Sequence, residues 1–146
     1  MTPAMTATFP PRISSHLIPA PAVRKSGRIL VVDDEPPMCR FIEAGLRAAG
    51  YADIIFSSNG SHVLALALTE CPQLIIMDVM MPGGNGMRAL RTLKTTPATR
   101  GIPVIITSGF HVPDADECVQ NRADHVLSKP FTAGQLLTAV GQLIAN

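Results

Sequence analysis

The sequence predicts an α/β fold, a doubly wound five-stranded parallel sheet with helices on both faces. Three observations predict it. Short apolar runs recur along the chain, and runs that are polar on neither side suit strands buried on both faces. A stretch with apolar residues at helical spacing follows each run, and strict alternation of strand and helix implies crossover connections and a parallel sheet. The 146 residues fit one domain with a real core.

The first run is Ile29-Leu30-Val31-Val32, which stops at Asp33-Asp34-Glu35. Pro36 and Pro37 suit a first helical turn. Met38, Phe41, Ile42, Leu46 and Ala49 then recur on one helix face, and Gly50 ends the helix. Ile54-Ile55-Phe56 predicts the second strand, with a helix from about Asn59 to Cys71. Leu74-Ile75-Ile76-Met77 predicts the third, ending at Asp78. The loop Met81-Pro82-Gly83-Gly84-Asn85-Gly86 leads into a helix through Leu90 and Leu93. Val104-Ile105-Ile106 predicts the fourth strand, ending at Thr107-Ser108-Gly109, with a weakly patterned helix around Asp114–Asn121. Val126-Leu127 predicts the last strand, ending at Ser128-Lys129-Pro130. Leu136, Leu137, Val140, Leu143 and Ile144 form one face of a final helix.

The net charge of +1 hides an asymmetry. Residues 1–28 carry Arg12, Arg24, Lys25 and Arg28 and no acid. The remaining eight basic groups face all 11 acidic ones, a balance of −3. A mildly acidic body argues against nucleic acid as a partner, because phosphate backbones need a concentrated basic face. Cys39, Cys71 and Cys118 are odd in number and form no CxxC pair, as expected of reduced thiols in a cytoplasmic protein. His16, His62, His111 and His125 lack metal-site spacing. No apolar stretch approaches the roughly 20 residues of a membrane helix. Prolines at 3, 10, 11, 19 and 21 interrupt any signal or transit helix. Residues 1–26 therefore read as a disordered Pro-rich tail, and residues 27–146 as the folded domain.

In open α/β sheets, chemistry gathers at the carboxyl ends of the strands. Those positions hold Asp33 and Asp34 after strand one, Asp78 after strand three, Thr107 and Ser108 after strand four, and Lys129 after strand five. Each alone has an ordinary reading: Asp33-Asp34 as helix-start acids, Thr107-Ser108 as turn residues, Lys129 as a solvated lysine. Together they define a site. Carboxylates sharing a pocket repel unless a cation relieves them. Mg2+ suits this, as a hard ion that prefers oxygen ligands. An ionised Asp78 can then act as a nucleophile toward phosphorus, with Lys129 supplying charge and Thr107 a hydroxyl.

These residues resemble the receiver domain of two-component response regulators, the CheY-like family. The matching features are Val-Val-Asp33-Asp34-Glu35, Met77-Asp78-Val79-Met80-Met81-Pro82-Gly83-Gly84-Asn85-Gly86, Ile106-Thr107-Ser108-Gly109 and Ser128-Lys129-Pro130-Phe131. The resemblance covers about Arg28 to Asn146. It implies strand order 2-1-3-4-5, a flavodoxin-like arrangement. It implies phosphorylation of Asp78 to 4-aspartylphosphate, with Mg2+ held by Asp34, Asp78 and the Met80 carbonyl and by Asp33 through water. It implies a cis Lys129-Pro130 bond. The donor would be a phosphohistidine on a sensor histidine kinase or a histidine phosphotransfer protein. The signalling face would comprise the fourth helix, fifth strand and fifth helix. The implied product is a single-domain regulator without an output domain, a signalling protein rather than an enzyme, acting on a downstream protein as a monomer or a weak phosphorylation-dependent dimer.

One position departs from the pattern. Val126 stands where the family usually carries an aromatic three residues before the lysine. Coupling through Thr107 and the Gly109-Phe110 loop is expected instead. Met80 and Gly109 occupy positions tied in the family to phosphoryl lifetime; neither can orient an attacking water, so slow self-dephosphorylation is expected. A haloacid-dehalogenase-type phosphohydrolase would need a second Asp where Met80 stands. A phosphorylation-independent module would have lost an acid or the lysine. A flavin-binding relative would not put Asp33-Asp34-Glu35 in a phosphate-cradling loop.

Overall fold

The computed structural model describes residues 25–81, 84–109, 117 and 121–144. Within them lie strands β1 (Ile29–Val32), β2 (Ile54–Ser57), β3 (Leu74–Asp78), β4 (Val104–Ser108) and β5 (His125–Ser128). The helices are α1 (Pro36–Ala48), α2 (Val63–Glu70), α3 (Gly86–Thr95) and α4 (Ala133–Leu143). The strands pair all-parallel in the order β2-β1-β3-β4-β5, the 2-1-3-4-5 order expected. Of the helix expected around Asp114–Asn121 only Glu117 and Asn121 are described, and the tail up to residue 24 lies outside the described residues.

Alternation along each central strand feeds two cores. Ile29 and Val31 of β1, Leu74 and Ile76 of β3 and Ile105 of β4 join Ile42 and Leu46 of α1 and Leu136, Ala139 and Val140 of α4. Leu30 and Val32, Ile75 and Met77, and Val104 and Ile106 join Val63 and Ala67 of α2 and Met87, Leu90 and Leu93 of α3. Successive strand side chains point to opposite faces, so a run apolar at every position needs cover on both. Each such side chain contributes about 1.5–3 kcal/mol of burial.

Local chemistry sets the boundaries. Pro36 opens α1, where a missing N–H costs nothing, and Gly50 leaves it at φ +99°. The second helix starts later than expected. Asn59 accepts the Ser61 N–H at 2.9 Å and closes a single 3-10 turn, Gly60–His62, so the α-helix begins only at Val63. Thr132 and Gln135 form a reciprocal capping box at the start of α4. Residues Met80–Met81 and Gly84–Asn85 pair as a short antiparallel ladder within the expected loop.

The end of the sheet away from the strand carboxyl termini is tied by polar links. Buried Lys94 of α3 donates to Ile102 O at 2.8 Å and to Asp124 Oδ2 at 2.7 Å. The same Asp124 oxygen accepts the Val104 N–H at 2.8 Å. Arg28 pairs with both Asp53 and Glu70. Lys25 and Ser26 also contact the body: Lys25 N–H donates to Gly50 O at 3.0 Å, its ammonium lies 4.7 Å from the Tyr51 ring centroid, and Gln73 Nε2 donates to Ser26 O at 2.8 Å.

Candidate functional site

Sheet register decides what meets at the carboxyl edge. Val32 lies opposite Met77, so Asp33 leaves β1 level with Asp78 at the end of β3. Asp78 lies opposite Thr107, and Ser108 opposite Ser128, which places Lys129 one residue further along. Residues 33 and 129 are far apart in sequence, yet they share one pocket.

Asp33 and Asp78 are buried and Asp34 is half-buried. One carboxylate oxygen from each of the three lies within 4.8 Å of the others. Asp33 Oδ1 accepts the Glu35 N–H at 2.8 Å, which holds the carboxylate inward. Asp78 Oδ1 accepts the Met80 N–H at 2.9 Å. Lys129 Nζ donates to Asp78 Oδ2 at 2.9 Å and reaches Asp33 Oδ2 at 3.4 Å. The Lys129 N–H donates to Ser108 O at 2.7 Å, and the Lys129-Pro130 bond is cis. Thr107 Oγ1 is fully buried and makes no hydrogen bond, although buried hydroxyls are nearly always partnered.

The loop behind Asp78 depends on one glycine. A Cβ on Gly86 would stand 2.5 Å from Val79 Cα and 2.6 Å from Asp78 O. Only a bare α-carbon lets the start of α3 approach the acceptor strand this closely.

Electrostatics follow from burial and neighbours. Burial pushes the Asp33 carboxyl above its usual range; the Glu35 N–H and Lys129 oppose this, and the Asp78 charge adds to it. Burial pulls Lys129 down, but the hydrogen bond and charge of Asp78, with Asp33 and Glu35, outweigh it and leave the ammonium raised. Burial and the charges of Asp33 and Asp34 raise the Cys39 thiol above its usual range.

The structure thus brings together Asp33, Asp34, Asp78, Thr107 and Lys129. Met80 joins through its main chain, while its side chain is 67% exposed. Val126 is half-buried against the α2–α3 core, a packing position. Phe110 lies outside the described residues, and among the described residues no atom lies within 4 Å of where a Gly109 side chain would start. Sequence reasoning missed a neighbouring cavity of about 400 Å3, lined by Asp33, Asp34, Cys39, Arg40, Phe56, Ser57 and Ser58. Ser57 and Ser58 end β2, so the strand-end rule could have found them. Cys39 and Arg40 depend on how α1 lies across the sheet.

Comparison with known proteins gives a consistent family. The model of the response regulator receiver domain matches residues 29–141. The chain is 37% identical over 119 residues to the response regulator PleD of Caulobacter vibrioides, covering 81% of this chain and 26% of PleD. It is 35% identical over 120 residues to protein PilH of Pseudomonas aeruginosa, covering 82% of this chain and 98% of PilH. The chain therefore spans about a quarter of the first relative and nearly all of the second. A response regulator receiver domain from Clostridium thermocellum superposes with a TM-score of 0.74 at 30% identity, over 82% of this chain and 94% of that one. Among the described residues, no helix is long and apolar enough to cross a membrane. With strand order, acidic cluster and sequence in agreement, this chain belongs to the response regulator receiver domain family of two-component signalling.

Proposed function

We propose that this chain accepts a phosphoryl group on Asp78 from a phosphohistidine on a sensor histidine kinase or histidine phosphotransfer protein, with Mg2+ as cofactor. The observation that carries the reading is the three-carboxylate cluster with Lys129 Nζ 2.9 Å from Asp78 Oδ2. The donor set fits the ion. It is all oxygen, as a hard cation requires, and three carboxylates against one ammonium leave two negative charges to be balanced. Asp33, Asp34 and Asp78, with the Met80 carbonyl, would hold Mg2+. Bound there, the ion would neutralise charge on the incoming phosphoryl oxygens.

The chain's own groups do the rest. An Asp78 carboxylate oxygen attacks phosphorus, the P–N bond to the donor breaks, and the imidazole leaves. Lys129 balances charge on the acceptor side. The Thr107 hydroxyl is free to donate to a phosphoryl oxygen, which would give that buried atom its missing partner. Met80 stands where a phosphohydrolase would need its second Asp, so the chain catalyses only its own phosphorylation and slow dephosphorylation. Downstream, the reading assigns a cytoplasmic protein target to the face that includes β5 and α4.

Incubation with acetyl phosphate and Mg2+ tests this. Intact mass should rise by one phosphoryl group in the native protein and stay unchanged in Asp78→Asn or in excess chelator. Uptake by Asp78→Asn at the native rate would refute the assignment.

A further inference from the structure

We propose that Met80 is a site of peroxide oxidation, and that its sulfoxide hastens loss of the phosphoryl group from Asp78. This rests on the phosphoryl-acceptor reading above. Among the described methionines, Met80 alone is exposed, at 67%. Met77, Met81 and Met87 are buried, and Met38 is half-buried against the α1–α4 core. Thioether oxidation follows access, so it selects Met80 among these five.

Its backbone is fixed close to the acceptor. The Met80 N–H donates to Asp78 Oδ1 at 2.9 Å, and Met80 pairs with Asn85 in the short ladder. The side chain therefore starts beside the reacting carboxylate. A thioether is only a weak hydrogen-bond acceptor. It offers a water beside Asp78 no strong hydrogen bond of its own.

Hydrogen peroxide changes that group in one step. Its O–O bond breaks, one oxygen bonds to the Met80 sulfur, and the other leaves as water. Sulfur loses two electrons and peroxide gains them. The sulfoxide oxygen is a strong acceptor. It can take a hydrogen bond from the water that attacks phosphorus. In that hydrolysis the P–O bond to water forms, the P–O bond to Asp78 breaks, and inorganic phosphate departs. One added hydrogen bond in the transition state corresponds to about a fivefold rate change.

The full chain, phosphorylated with acetyl phosphate and Mg2+ and then desalted, is followed by intact mass with and without prior hydrogen peroxide. Peptide mapping should place one added oxygen on Met80. The phosphoryl half-life should shorten about fivefold after peroxide and recover after treatment with methionine sulfoxide reductases. Met80→Leu, which retains Met1 and Met5, should lose the response to peroxide. Met80→Gln, with a carbonyl near the sulfoxide position, should show the short half-life without peroxide. If phosphoryl never adds to Asp78, the acceptor reading falls and this inference with it. If it adds and Met80 is oxidised with no change in half-life, the inference alone falls. It also falls if Met80 resists peroxide, or if Met80→Leu still responds.

Discussion

Asp33 and Lys129 share a pocket, and both hold protons more tightly in the folded protein than in the unfolded chain, for opposite reasons. For Asp33 the cause is chiefly burial; for Lys129 it is the surrounding carboxylates, which overcome burial. The sign follows from linkage. The Asp33 contribution to stability is fully present below the ordinary carboxylate value of 3.8 and is lost as pH rises through the raised value, so near neutrality its charge weakens the fold. The Lys129 contribution is present up to the ordinary lysine value of 10.5 and is lost as pH rises through its own raised value. In magnesium-free buffer near pH 7, Asp33→Asn should therefore raise Tm by a few degrees. Its amide oxygen can still accept the Glu35 N–H. Lys129→Met should lower Tm, and acidification toward the carboxylate range should recover part of the loss. A thermal melt series from pH 4 to pH 9 checks both. A lower Tm for Asp33→Asn at pH 7 would contradict the assignment of cost to that buried charge.

Two contacts between elements carry predictions of their own. At the start of α3, Gly86→Ala places a methyl carbon against the backbone of residues 78 and 79, which cannot move aside as a flexible side chain could. The expected cost is about 1–3 kcal/mol, read as a shifted denaturant midpoint. Phosphoryl uptake should slow as well, because the same shift moves Asp78. At the other end of the sheet, the Lys94–Asp124 pair is asymmetric. Lys94 is 7% exposed, whereas the Asp124 side chain is 34% exposed. Asp124→Ala leaves a buried ammonium with only Ile102 O and also strands the Val104 N–H, for a loss of about 3–5 kcal/mol. Lys94→Met leaves a carboxylate that still accepts from Val104 and reaches solvent, so it should cost clearly less. Equal losses in urea titrations would show that the pair does not work this way. Neither contact was legible in the sequence. A lysine on a helix reads as solvated, and its burial depends on where β4 and the approach to β5 pass.

At the scale of the whole molecule, the described residues start at Lys25. Lys25 and Ser26 fall within the expected tail, yet both bond to the body. Deleting residues 1–24 should leave Tm unchanged, while deleting 1–26 should lower it by a degree or two through loss of the Gly50, Tyr51 and Gln73 contacts. Both truncated chains should still take up phosphoryl, because these contacts lie at the opposite end of the sheet from Asp78. A Tm loss already complete in the shorter deletion would assign the effect to residues 1–24. The strand-end rule worked at this scale for a topological reason. In a parallel sheet every strand carries its carboxyl end to the same edge, so residues read separately in sequence arrive at one place.

The sequence by itself determined the alternation of strand and helix, the two-sided burial of the sheet, and the acids, hydroxyl and lysine at its carboxyl edge. Those are written in periodicity and in where each apolar run stops. Only the tertiary structure decided that Lys129 lies between Asp33 and Asp78, that the Thr107 hydroxyl is left without a partner, that Gly86 must lack a side chain and that Met80 faces solvent. The first two depend on register between segments distant in the chain and the last two on how the loop after Asp78 folds back, and local pattern records neither.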